Sequence, residues 1–138
     1  DLGPSEIRVE HAQLISKKTA IRAKELGVIL SMQPNFSEDS VCYQDRLPEG
    51  YPQRNNPFRM LIDEIRYRPG NDLLLGSDGM PHGVQFALEQ SLFPKFPNQR
   101  LTLEEFAKAY CLPDESKGHI ELTINHEEQK VSSKIIVS

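Results

Sequence analysis

The sequence contains no tryptophan, only two cysteines, no long apolar run and no excess of basic charge. No stretch approaches the roughly 18 apolar residues that a membrane-spanning helix requires, so no membrane association is expected. Lys and Arg total 16 against 20 Asp and Glu, a net charge of −4. The basic residues are scattered and no aromatic residues interleave with them. A nucleic-acid surface needs a clustered basic footprint, and none is expected. Cys42 and Cys111 lie far apart and match no metal or redox spacing. They are expected to be reduced thiols of a cytoplasmic protein. The chain opens Asp1-Leu2-Gly3-Pro4, without initiator Met, basic n-region or apolar h-region. That start leads us to expect a piece of a longer polypeptide.

What is present is globular in character. The hydrophobic fraction is 38% and the charged fraction 26%, over 138 residues, enough to bury a core. The run Glu6 to His11 reads as a strand. Ser16 is placed to cap a helix over Lys17 to Leu26, with Gly27 at its C′ position. Val28 to Met32 is a β-branched apolar run, read as a buried strand. Strand, helix and strand on short turns make a parallel βαβ unit. Residues 33–55 are polar, carry Pro34, Pro48 and Pro52, and show no periodicity, so a long loop is expected there, functional or mobile. Asn56 and Pro57 are placed as N-cap and N1 of a helix running to about Tyr67. Asp72 to Asp78 then reads as a third parallel strand.

Beyond Pro81, the positions Val84, Ala87, Leu88, Ser91 and Leu92 form one helical face. Thr102 and Glu105 form a capping box for a helix over Leu103 to Tyr110, with Leu101 and Phe106 as its staple. Ile120, Leu122 and Ile124 alternate with polar residues, as do Val131, Ser133, Ile135 and Val137, and a β-hairpin is expected. The predicted organisation is α/β, with a parallel segment over 1–112 and a terminal hairpin over 113–138.

In parallel α/β folds the functional side chains gather at the C-terminal strand ends. Here those ends carry His11, Gln33 and Asp78. His11 can bind a divalent cation through one imidazole nitrogen, or serve as a hydrogen-bonded structural histidine. Asp78 follows an apolar strand, where a carboxylate is costly unless paired, metal-bound or used to cap the next helix. His82, four residues on, either lines the same rim or lies on the surface near a helix start. Ser77 lacks the Gly-x-Ser-x-Gly elbow of a nucleophile. His119 and His126 fall on the hairpin, away from the rim. Strand alternation sets Glu10 opposite His11, and in a barrel that would aim it at the helix layer.

The segments Arg8-Val9-Glu10-His11-Ala12-Gln13, Leu26 to Pro34 with its Ser31-Met32-Gln33-Pro34 end, and Gly76-Ser77-Asp78 resemble strands six, seven and eight of the amidohydrolase superfamily, in particular amidohydrolase family 3. The resemblance covers roughly residues 6 to 110. It implies the C-terminal part of a TIM-type barrel that hydrolyses amide, cyclic amide or related C–N bonds with a metal-activated water. It implies His11 and Asp78 as ligands of a divalent metal, zinc foremost, and Asp78 as the catalytic proton acceptor. Gln33 and His82 would line the substrate pocket, with the 35–55 loop nearby. The family's His-x-His pair does not occur in this chain, so the fragment alone is expected to be inactive and to hold metal weakly. Three strands of eight leave open edges, hence self-association is expected. The competing reading is a small non-catalytic α/β module that binds a ligand or partner, or a catalytically dead barrel used as a scaffold.

Overall fold

The computed structural model describes residues 7–79, 83–111 and 119–136, and shows a mixed α/β domain. Strands β1 (Arg8–Glu10), β2 (Ile29–Met32) and β3 (Leu73–Leu75) form one parallel sheet in the order 1-2-3. The register sets Glu10 beside Ser31 and Ser31 beside Leu74. Helix α1 (Lys17–Glu25) makes the first crossover. Its predicted caps are in place: the Ser16 hydroxyl accepts from the Thr19 N–H, and Gly27 closes the helix at φ 70°. That conformation costs glycine little and other residues about 1 kcal/mol.

Period-two alternation divides the sheet into unlike faces. Leu30, Met32, Leu73 and Leu75 share the apolar core with Ala20, Phe58, Leu61, Ala87 and Leu88. The other face carries Arg8, Glu10, Ile29, Ser31 and Leu74, all exposed or half-buried. Glu10 therefore lies away from the helix layer, on the uncovered face, which corrects the expectation that it would point into that layer. The Ser31 hydroxyl bonds its carboxylate and, with Arg8 at 2.5 Å, holds it below the ordinary carboxylate range despite some desolvation. A hollow of about 750 Å³ opens on this face between Arg8, Ser31, Leu74 and the end of the last helix.

Residues 33–55 are not the structureless loop that their composition suggested. They form a 3₁₀ turn (Pro34–Glu38), a one-turn helix α2 (Asp39–Cys42) and two further 3₁₀ turns. The following helix is shorter than predicted and ends in a π-helical turn, Met60–Glu64, with the Ile65 N–H on the Met60 carbonyl at 3.1 Å. Asn56 does not cap it. The Asn56 amide turns instead toward the preceding segment, donating to the Gln33 carbonyl at 2.9 Å and the Ser37 hydroxyl at 3.0 Å. A buried donor takes the partners in reach, and here those belong to the neighbouring loop.

Helix α3 (Val84–Leu92) buries Ala87, Leu88 and Ser91, three positions of the predicted face. Helix α4 (Leu103–Tyr110) has the predicted capping box in full, and its staple residues Leu101 and Phe106 are buried. Burial pushes the Glu105 carboxyl up, but hydrogen bonds from Arg59 and the Thr102 backbone outweigh it and hold the group below its usual range. Helix α4 packs tightly at Gly70, where any Cβ would collide with the Lys108 carbonyl. Strands β4 (His119–Asn125) and β5 (Lys130–Ile136) form the predicted antiparallel hairpin. It lies against α3: Glu89 accepts from the Val131 N–H, Ser133 bonds Gln85, and Val131 joins the core. Its turn histidine, His126, meets Phe93 edge to face.

Candidate functional site at the strand ends

The ladder hydrogen bonds extend one residue past each outer strand. The His11 N–H reaches the Ser31 carbonyl at 2.8 Å, and the Gly76 N–H reaches the Met32 carbonyl at 3.0 Å. There the backbone changes hand. His11, Ala12 and Asp78 adopt φ of 66°, 49° and 48°, the left-handed region that non-glycine residues enter at a cost of about 1 to 3 kcal/mol. Asn56, beneath the same rim, does likewise at φ 44°. Strain of this kind persists only where the surroundings enforce it, and it concentrates where side chains must be aimed.

What is aimed is the pair predicted from the strand ends. Strands β1 and β3 are separated by β2, so their axes stand about 9.6 Å apart. Even so, His11 Nε2 lies 3.5 Å from Asp78 Oδ2, each side chain about half exposed. They meet by reaching over the end of β2. Two donors bound to one tetrahedral cation at about 2.1 Å each would stand about 3.4 Å apart, so the spacing fits two ligands of one metal. Among the described residues no third His, Cys, Asp or Glu joins them. The N-cap position of α3 is Gly83, which has no side chain to cap it.

Gln33 lies at the rim but is only 3% exposed, its Nε2 donating to the Ser31 carbonyl at 3.3 Å while its Oε1 has no hydrogen-bond partner among the described residues. His82 lies outside the described residues. The wall of the rim is built by amides whose sequence positions carry no motif. Gln13 donates to Asp39 and Asn55, both at 3.3 Å, and Asn55 donates to the Phe36 carbonyl at 2.7 Å. Buried Gln99 reaches from beyond α3 to Ser40 and to the Asn55 carbonyl, at 3.0 and 3.1 Å. The Asn35 amide donates to the Ser77 carbonyl, tying this wall to the turn that carries Asp78. The Phe36 ring stands 6.0 Å from the His11 imidazole. One signal for these residues was in the sequence: the amides Asn55 and Asn56, set between Pro52 and Pro57. Their partners were not legible.

Comparison with known proteins returned no matching family model, no matching curated protein and no matching solved structure. No described helix is long and apolar enough to cross a membrane.

Proposed function

We propose that this chain is the C-terminal part of a TIM-type, metal-dependent amidohydrolase barrel, and that its three parallel strands correspond to strands six to eight. The observation that carries the reading is the His11–Asp78 pair, brought to 3.5 Å across an intervening strand by left-handed turns. His11 and Asp78 would hold a divalent cation, zinc foremost, with further ligands from elsewhere in the whole enzyme. Such a cation, when bound, lowers the pKa of a bound water to about 7. Asp78 accepts the proton of the attacking water at its carboxylate, and His11 fixes the position from which Asp78 acts. The substrate would be an amide or related C–N compound, with buried Gln33 supporting the rim beneath it. The uncovered sheet face, with Arg8, Glu10 and Ser31, becomes the barrel interior once the other strands close around it. Until then the open edges favour self-association. Exposed, unpaired Cys42 and Cys111 suit a cytoplasmic location.

Zinc titration of the chain, followed by the imidazole proton resonances, tests the reading. His11 resonances should shift with micromolar to millimolar zinc, and Asp78→Asn should weaken that response. If zinc leaves His11 unchanged, or shifts only His119 and His126, the metal-site reading falls and a non-catalytic module takes its place. In a polypeptide that supplies the remaining strands, Asp78→Asn should lower kcat by about 100-fold or more.

A further inference from the structure

One cavity near the rim has no part in holding the metal pair. It encloses about 240 Å³ and lies between the β1–α1 turn and the 33–55 segment, lined by Gln13, Leu14, Asp39, Tyr43, Arg46 and Leu47, with Asn55 at its base. Gln13 connects it to the rim: its amide also reaches the Phe36 carbonyl at 3.5 Å, and the Phe36 ring faces His11. The walls from Leu14, Leu47 and the Tyr43 ring are apolar. Leu14 and Tyr43 are 43% and 46% exposed, a cost that an apolar ligand would relieve. An engineered cavity of roughly 150 Å³ admits benzene, so this one has room for an aryl ring and a small substituent.

The charges of the cavity differ in their engagement. Asp39 already accepts from Gln13 and stands in the first turn of α2. The Arg46 guanidinium lies 5.6 Å over the Tyr43 ring, and among the described residues no carboxylate pairs with it. Arginine in that setting is a fork for a planar anion, with the ring holding it flat. Side-chain hydrogen bonds of Gln13, Asn55 and Gln99 hold Phe36, Asp39 and Ser40, and backbone bonds from the Tyr43 N–H to the Asp39 carbonyl and from the Arg46 N–H to the Tyr43 carbonyl, both 3.0 Å, extend that order to the arginine.

We infer that this cavity is a subsite for an apolar, preferably aryl, group ending in a carboxylate, which Arg46 pairs. As part of an enzyme it rests on the amidohydrolase reading, and makes the preferred substrates amides that carry such an acid arm. As a binding site it stands without metal. The test is a metal-free NMR titration of the 138-residue chain with phenylacetate, neutral phenylacetamide and cationic phenethylamine. Phenylacetate should shift resonances of Gln13, Tyr43 and Leu47, with roughly tenfold weaker binding of phenylacetamide. Arg46→Gln should abolish that preference and Arg46→Lys should keep part of it; Arg46 is exposed, and circular dichroism checks that each variant is folded. Equal affinity for acid and amide, tighter binding of phenethylamine, shifts confined to other regions, or no shift at millimolar phenylacetate each overturn the inference. A positive result here beside a failed zinc titration would retain the subsite and remove the enzyme.

Discussion

On the helix-covered face of the sheet, Leu30, Met32, Leu73 and Leu75 share one apolar core with Ala20, Leu61 and Leu88. A few residues further along the same strands the materials are reversed. The rim consists of amides, a histidine, an aspartate and left-handed backbone, with Gln33, Asn55, Asn56 and Gln99 buried among one another's hydrogen bonds. The first region is held by a non-directional force roughly proportional to buried area. It accepts any side chains of the right volume. The second is held by directional bonds, where each donor has only a few acceptors in reach and a lost partner leaves a buried orphan. Stability is concentrated in the first region, and aim in the second.

Leu73→Ala should expose that difference most strongly. Leu73 is fully buried on β3, and its truncation should cost about 3 kcal/mol, read as a fall in the urea midpoint with an unchanged slope. A cost near zero would mean that the core does not carry the fold. Asn56→Ala should rank second, at about 2 kcal/mol, since it removes two buried hydrogen bonds donated by the side-chain amide and keeps a left-handed φ that alanine resists. Its effect should be local: amide hydrogen exchange should accelerate across 33–55 and at Gln33 far more than in β2 and β3. Uniform acceleration would dissolve the contrast between the regions. Asp78→Gly is the smallest and carries the opposite sign. Glycine relieves the backbone strain at φ 48°, while the half-exposed pairing with His11 contributes little. A gain of about 0.5 kcal/mol in stability is expected, together with loss of the zinc response. A clear loss of stability would make Asp78 a structural residue.

Much of this was legible in the residues. The capping box at Thr102 and Glu105, the Ser16 cap, the apolar face of α3 and the alternation of the hairpin are local patterns, enforced by neighbours three or four positions away. The parallel β1-β2-β3 order follows equally from strands joined by crossovers, and His11 and Asp78 were recoverable because parallel strands deliver their ends to one rim. Glu10 was misjudged for a related reason. Alternation separated it from its neighbour His11 correctly, but which face the helices cover depends on packing, and the pattern Arg8, Glu10, Ser31 marks the uncovered one only once the register is known.

By itself, then, the sequence determined the three strands and their parallel pairing, helices α1, α3 and α4, the hairpin, and the shared rim of His11 and Asp78, because caps, periodicities and short crossovers decide those. Tertiary structure alone decided that 33–55 is an ordered wall, that Asn56 serves Gln33 and Ser37 rather than the helix it precedes, and that Gln99 closes the wall from beyond α3. Those bonds join residues 19 to 59 positions apart. An amide in a polar stretch has many possible partners in the sequence, and only the closed fold selects the few it meets.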